Sequence, residues 1–172
     1  MVMIVLLMGV SGSGKTTIGK RLAESLGWVF FEGDDFHPQA NITKMGKGIP
    51  LSDKDRQPWL NALKKLIRQL IHEEESAVVA CSALKAAYRE FLEHKNEEVC
   101  FVYLKGDYEL IEKRLEGRSK HYMKAGLLSS QFADLQEPEG VITVDIRGDP
   151  EEIVRSIQEE LLRPKETGPK SK

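Results

Sequence analysis

A chain of 172 residues, of which 41% are hydrophobic and 30% charged, has the length and composition of a single globular domain. Its formal net charge of -2 argues against a broadly basic nucleic-acid binder, so any bound anion must be held by local groups. The two cysteines lie in or beside apolar runs, which indicates buried thiols rather than a disulfide framework and favours a reducing, cytoplasmic location. We interpret the apolar start of the chain as a buried strand rather than a signal or membrane segment.

Apolar runs alternate with amphipathic segments along the chain. The apolar runs predict strands at residues 2–8, 29–31, 77–81, 99–104 and 141–146. Helical spacing predicts helices at residues 15–26, 41–45, 52–71, 86–93, 108–116, 131–135 and 149–162. Pro58 predicts a break in the third of these helices. The alternation predicts an α/β fold with a parallel sheet, in one domain at residues 1–163, followed by a disordered polar tail at 164–172.

A glycine-rich segment between the first strand and the first helix matches the pattern G-x-x-x-x-G-K-[ST]. It consists of Gly9, Val10, Ser11, Gly12, Ser13, Gly14, Lys15 and Thr16. In this context the backbone N–H groups converge on phosphate oxygens at a helix N-terminus. Lys15 can reach the β- and γ-phosphates of a nucleotide and the Thr16 hydroxyl can ligate Mg²⁺, and we also assign the adjacent Thr17 to the nucleotide site.

The phosphate loop alone does not separate a GTPase, a motor ATPase and a small-molecule kinase. The chain lacks an Asn-Lys-x-Asp guanine-recognition motif, and its Asp-x-x-Gly match at 145–148 comes too late to act as a switch. It is also short for a motor ATPase. A kinase that phosphorylates a small acceptor fits best, with ATP as co-substrate and Mg²⁺ as cofactor.

The acceptor side needs a group that orients the attacking hydroxyl and cations that bind the acceptor. Asp34 and its neighbour Asp35 follow the second strand, beside the phosphate loop in a parallel sheet, where they are either catalytic or part of a solvated loop. Lys85 and Arg89 come just after the third predicted strand, and we expect them and Arg56 near the carboxyl ends of the strands. There they could clasp a carboxylate, although isolated long cations more often face solvent.

A basic stretch near residues 117–126 is flanked by glycines and predicts a mobile lid that would bring positive charge onto the phosphates. Its cations include Arg118 and His121, and Arg114 lies just upstream. The alternative is a basic surface loop.

Segments in order over nearly the whole chain resemble the gluconokinases of the phosphate-loop kinase superfamily, whose relatives include shikimate and adenylate kinases. These segments are MGVSGSGKTT, DDFHP, KMGKGIPLSDKDRQPWL, CSALKAAYRE, LKGDYELIEKRL and HYMKAGLLSSQFADLQEP. The resemblance implies a three-layer fold with a five-stranded parallel sheet in the order 2-3-1-4-5, and a homodimer. It also implies ATP- and Mg²⁺-dependent phosphorylation of D-gluconate on its 6-hydroxyl, giving the 6-phospho-D-gluconate of the pentose phosphate pathway.

The resemblance also implies roles for individual residues. Asp34 matches the aspartate that faces the acceptor hydroxyl in shikimate kinases, and Arg118 matches the lid arginine near ATP, so that Lys15, Asp34 and Arg118 form the catalytic set. Arg114 belongs to the nucleotide site. The residues implied to bind gluconate are Asp34, His37, Arg56, Lys85, Arg89 and His121.

The sequence departs from the family pattern at two places. Glu32 replaces the usual first aspartate, so the contact with Mg²⁺, expected through water from Glu32 or Asp34, can shift. Lys120 replaces a lid glycine next to His121. Two alternatives to a gluconokinase stay open: a kinase for shikimate or another sugar acid, and a regulatory protein that binds nucleotide without catalysis.

Overall fold

The computed structural model of the chain describes residues 2–93, 96–117 and 125–163. Its strands are β1 (Ile4–Met8), β2 (Val29–Glu32), β3 (Ala77–Ala80), β4 (Val99–Lys105) and β5 (Ile142–Asp145). They form a 5-stranded sheet in the order β2-β3-β1-β4-β5, and every neighbouring pair is parallel. The predicted fold class and strand order are confirmed.

The helices fall close to their predicted positions. They are α1 (Lys15–Leu26), α2 (Gln39–Gly46), α3 (Asp53–His72), α4 (Ala86–Glu93), α5 (Tyr108–Glu116), α6 (Ala125–Asp134) and α7 (Pro150–Leu162). A 3₁₀ turn at Gly33–Phe36, directly after β2, was not predicted, and α6 begins earlier than the predicted 131–135. No helix in the described ranges is both long and apolar enough to cross a lipid bilayer.

The predicted break at Pro58 is wrong, because α3 continues through it. A reciprocal cap starts this helix: the Asp55 N–H donates to the Ser52 hydroxyl, 3.2 Å away, and the Ser52 N–H donates to the Asp55 carboxylate at 2.9 Å. Proline has no N–H to donate to the carbonyl of Lys54, but both residues are exposed, so water can satisfy that carbonyl. The loss of this one hydrogen bond destabilises α3 less than the burial of its apolar face stabilises it.

The side chains of β1 alternate between two cores. Ile4, Leu6 and Met8 pack with the buried face of α3, whereas Val5 and Leu7 pack with α1 and α7. A central strand buried on both faces requires helices on both faces of the sheet, which gives the predicted three layers. Cys81 is buried as predicted, and Cys100 is only half-buried.

The chain leaves each of the first three strands at the same edge of the sheet, and this edge carries the candidate site. The end of β2 lies so close to β3 that a Cβ on Gly33 would come within 2.2 Å of the Ala80 carbonyl oxygen. Glycine is therefore needed where the chain turns from β2 towards Asp34. Most of the predicted lid and the tail at 164–172 lie outside the described residues.

Candidate active site

A cleft of about 460 Å³ opens at the carboxyl ends of the strands. Such a position is where ligands bind in open α/β sheets. The predicted phosphate-loop residues that line it are Ser11, Gly12, Gly14, Lys15 and Thr16, together with Thr17. The predicted acceptor residues that line it are Asp34, His37 and Arg56, and Glu32 lies between the two groups. The structure thus brings the nucleotide and acceptor halves of the prediction into one cavity.

The phosphate loop turns into α1 at Gly14, which has a φ of 97° and caps the helix without a side-chain hydrogen bond. The Lys15 ammonium donates to the carbonyl oxygens of Gly9 and Val10, each 2.9 Å away. Burial lowers the pKa of Lys15, and the carboxylate of Asp34 opposes this shift. The lysine is thus held over the loop by carbonyls that phosphate oxygens can replace.

The Thr16 hydroxyl donates a hydrogen bond of 2.5 Å to Oε2 of Glu32. Within the described ranges, no group of three or more His, Cys, Asp or Glu side chains could hold a metal ion. Mg²⁺ in nucleotide sites is bound by few protein groups and completes its shell with phosphate oxygens and water. One hydroxyl, with the Glu32 carboxylate beside it, fits a metal that is bound in this way.

Asp34 is exposed on the 3₁₀ turn and lines the cleft, whereas its neighbour Asp35 does not line it. The imidazole of His37 stacks on Trp59, with ring centroids 4.6 Å apart. The amide nitrogen of Asn41 lies 3.2 Å from Nδ1 of His37, and because an amide nitrogen only donates, Nδ1 accepts. The proton of the neutral imidazole is then on Nε2, which lies 4.0 Å from Oδ1 of Asp34.

Neighbouring charges act on His37 in opposite directions. Burial lowers its pKa, the Asp34 carboxylate acts to raise it, and the Arg56 guanidinium adds to the lowering. His37 is therefore neutral at neutral pH and can donate a hydrogen bond from Nε2 towards Asp34 or an acceptor hydroxyl.

Arg56 enters the cleft from the first turns of α3 and belongs to a charged network. Its Nη1 donates to the Tyr88 hydroxyl at 2.9 Å and lies 2.9 Å from Oδ2 of Asp134. The Tyr88 hydroxyl in turn donates to Asp53, and Lys85 lies 2.7 Å from that same carboxylate. Burial acts to lower the pKa of Arg56, but the contacts with Tyr88 and Asp134 outweigh it and the pKa is raised.

Two predicted acceptor ligands do not line the cleft. Lys85 binds the carboxylates of Asp53 and Asp134, at 2.7 and 3.7 Å. Arg89 is buried, and its guanidinium donates to the carbonyl oxygens of Ala83, Leu84 and Gln136 at 2.9 to 3.0 Å. The structure places Arg89 as an internal support for the segments after β3 and after α6, a position that differs from its predicted contact with gluconate.

The cations predicted in the lid and just upstream of it are only partly described. Arg114 donates from Nη2 to the carbonyl oxygen of Ile146, 2.5 Å away, and does not line the cleft. Arg118 and His121 lie outside the described residues, so their predicted roles stay predictions.

Several cleft residues were not singled out from the sequence, and Trp59, Tyr88 and Gln131 are polar members of that group. Trp59 donates from Nε1 to the Gly33 carbonyl at 2.8 Å and so holds the turn that carries Asp34. Tyr88 and Gln131 also line the cleft. Because Trp59 and Tyr88 lie within segments with apolar periodicity, their pattern indicated core packing only, and Gln131 had no local signal.

Comparison with known proteins agrees with this geometry. The family model described as "Shikimate kinase" matches residues 11–162. Thermosensitive gluconokinase of Escherichia coli K12 is 42% identical over 161 residues, which cover 91% of this chain and 86% of that protein. Thermoresistant gluconokinase of the same strain is 42% identical over 166 residues, covering 94% and 95%.

A solved structure, that of a gluconokinase from Sinorhizobium meliloti 1021, superposes with a TM-score of 0.81 at 40% sequence identity, covering 90% of this chain and 88% of that one. Identity at this level over nearly the whole length of both chains exceeds what a shared phosphate loop alone would produce. The chain therefore belongs to the gluconokinase family, within the wider group of kinases that the shikimate kinase model describes.

Proposed function

We propose that this protein transfers the γ-phosphoryl group of ATP to the 6-hydroxyl of D-gluconate, giving 6-phospho-D-gluconate and ADP. The observation that carries the proposal is the continuous cleft that joins the phosphate loop to Asp34 and Arg56, in a chain 42% identical to gluconokinases. Gluconate has a primary hydroxyl at one end and a carboxylate at the other, which suits a cavity with an aspartate near the phosphates and an arginine beyond it.

In the proposed reaction the 6-hydroxyl oxygen of gluconate bonds to the γ-phosphorus, and the bond from that phosphorus to the β–γ bridging oxygen breaks. Asp34 orients the hydroxyl and accepts its proton, a role worth roughly 10²- to 10⁴-fold in rate. Lys15 exchanges the carbonyls of Gly9 and Val10 for phosphate oxygens and stabilises the transferred charge. His37 contributes a hydrogen bond on the acceptor side.

Mg²⁺ belongs to the proposal as the group that neutralises charge on the nucleotide phosphates. Thr16 would hold it together with the phosphates, and Glu32 or Asp34 would act through water. The hydrogen bond from Thr16 to Glu32 supports this arrangement, because it places a carboxylate beside the ligating hydroxyl.

Other parts of the proposal rest on the resemblance to the family. Arg114, Arg118 and His121 would act on the nucleotide or the acceptor from the lid side. The catalytic unit would be residues 1–163, assembled as a homodimer in the cytoplasm.

A panel of acceptors tests the proposed function. ADP release is measured with gluconate, with other sugar acids, with shikimate and without acceptor, and ³¹P NMR of the product locates the phosphate. We expect gluconate to give the highest kcat/KM and a 6-phosphate. Shikimate is the second candidate because the matching family model is that of shikimate kinase. Preference for shikimate, or ATP binding without acceptor-dependent ADP release, would refute the proposal.

A further inference from the structure

The Arg56 guanidinium is held at one end by groups from separate helices. Its Nη1 contacts the Tyr88 hydroxyl, on α4, and Oδ2 of Asp134, on α6, each at 2.9 Å. Asp53, on α3 itself, lies 3.9 Å from the same nitrogen. Within the part of the chain that the structure describes, these polar contacts of Arg56 all use Nη1, and none uses Nε or Nη2.

The charged anchoring groups of this network lie outside the cleft, whereas Tyr88 lines it. Arg56 and Tyr88 line the cleft, whereas Asp53, Lys85 and Asp134 do not. The Arg56 side chain is only 13% exposed, so an unanchored guanidinium would be costly there. A planar guanidinium fixed through one terminal nitrogen still presents the other terminal nitrogen and Nε, and this pair matches the two oxygens of a carboxylate.

We propose that Tyr88 and Asp134 are positioning residues that orient the Arg56 guanidinium for the acceptor carboxylate, with Lys85 as a counter-charge within the anchor. The inference rests on the proposed function, because it assigns Arg56 to the carboxylate of gluconate. It changes the role of Lys85 from a ligand of the acceptor to a support of the site.

The charges of the anchor explain why Lys85 belongs to it. Two aspartates facing Arg56 alone would leave the group with a net negative charge and would repel an anionic acceptor. Lys85 lies 2.7 Å from Asp53 and 3.7 Å from Asp134, so two cations balance two carboxylates. The local charge is neutral before the acceptor binds, and the N–H groups of Arg56 that remain available can recognise its carboxylate.

The network could instead compete with the acceptor. In that case Asp134 would occupy the place of the gluconate carboxylate and would have to leave before gluconate binds. Asp134 does not line the cleft, which favours the positioning role. The two roles predict opposite effects when its charge is removed.

Steady-state kinetics of Tyr88→Phe and Asp134→Asn test the inference, with gluconate and ATP varied separately. We expect each variant to raise the KM for gluconate about fivefold to tenfold, the effect of losing roughly one hydrogen bond of ordinary strength. The KM for ATP should stay within about twofold of the wild type. Tyr108→Phe is the matched control, because its hydroxyl contacts Ser129 at 3.3 Å and does not line the cleft. It should leave both KM values unchanged.

A double-mutant cycle separates positioning from general loosening of the fold. If Tyr88 acts through Arg56, introducing Tyr88→Phe into the Arg56→Ala variant should change the KM for gluconate by less than about twofold. Full additivity in the cycle, or an unchanged gluconate KM in both single variants, overturns the inference. A lower gluconate KM in Asp134→Asn also overturns it and supports competition.

Two further measurements accompany the kinetics: thermal unfolding of each variant, and gluconate-dependent ADP release by the wild-type protein. If thermal unfolding shows that Tyr88→Phe does not fold, Asp134→Asn carries the same prediction with a smaller change of shape. If the wild-type protein shows no gluconate-dependent ADP release, the proposed function is wrong. Wild-type turnover combined with unchanged variants contradicts only the positioning roles.

Discussion

Gln131 and Ser11 are joined by two hydrogen bonds, although they lie 120 residues apart in the chain. The Ser11 N–H donates to Oε1 of Gln131 at 2.7 Å, and Nε2 of Gln131 donates to the Ser11 hydroxyl at 3.1 Å. One side chain of α6 therefore binds both the backbone and the side chain of the phosphate loop. Because α6 also carries Asp134, this helix contacts the nucleotide side and the acceptor side of the cleft.

Removing this side chain tests whether it preorganises the phosphate loop. In Gln131→Ala the loop loses both hydrogen bonds and must be ordered by the nucleotide itself. We expect the KM for ATP to rise about threefold to tenfold, with a smaller change for gluconate. Gln69→Ala, which removes an exposed glutamine of α3 that contacts Glu73, is the control. Tighter ATP binding in Gln131→Ala would contradict the prediction and would mean that Gln131 competes with phosphate for the Ser11 N–H.

Arg89 should be required for stability. Its guanidinium donates to the carbonyls of Ala83, Leu84 and Gln136 inside the protein. In the alanine variant Leu84 keeps the Gln136 N–H as a donor, but the carbonyls of Ala83 and Gln136 lose the donor that the structure shows for them. We expect Arg89→Ala to lower the free energy of unfolding by about 2–4 kcal/mol, measured by urea denaturation. Arg68→Ala, at an exposed position of α3, should stay within about 0.5 kcal/mol of the wild type.

A different result would restore the role predicted from the sequence. If Arg89→Ala were as stable as the wild type and had a raised KM for gluconate alone, Arg89 would be an acceptor ligand that reaches the cleft on binding. The stability and the gluconate KM of this one variant therefore distinguish a structural role of Arg89 from a role in binding gluconate.

The roles of the cations show where prediction from the sequence ends. The strands and the turn from the phosphate loop into α1 follow from local rules, and the structure confirms them. The caps that the structure shows at Ser52 and Asp149 are local features of the same kind. The direction of a long side chain does not follow from such rules. Arg89 lies three residues before the buried Leu92, on the edge of the apolar face of α4, and this spacing was the available signal that it points inwards.

Contacts between distant segments were beyond local patterns. The pairing of Gln131 with Ser11 and the network around Arg56 depend on α6 packing beside the cleft, which no neighbouring residue encodes. At Pro58 a local rule made a wrong prediction. The proline predicted a break, but the capped start and the buried face of α3 stabilise a continuous helix.

Asp34 and Asp35 form a matched pair for testing catalysis, because they are adjacent and exposed but only Asp34 lines the cleft. Asp34→Asn keeps the shape and removes the proton acceptor. We expect kcat to fall by roughly 10²- to 10⁴-fold while the Kd for ATP, measured by calorimetry, changes little. Asp35→Asn should keep kcat within about threefold of the wild type. Comparable losses in both variants would argue for a general effect of charge in the loop.

His37 should make stability depend on pH below neutrality. Its pKa is lowered in the folded protein, mainly by burial, so the unfolded chain binds a proton more readily. The resulting stability is fully present above the unfolded pKa of about 6.5 and is lost as pH falls through the folded value. One proton contributes at most about 1.4 kcal/mol per pH unit.

The measurement is urea denaturation of His37→Gln and the wild type between pH 5 and 7.5. We expect the free energy of unfolding of the variant to fall less steeply towards low pH, because glutamine does not titrate. Gln69→Ala, at an exposed position of α3, changes no titratable group and should follow the wild-type slope. If the slopes of wild type and His37→Gln coincide, protonation of His37 is not opposed by its burial against Trp59, and the lowered pKa is wrong.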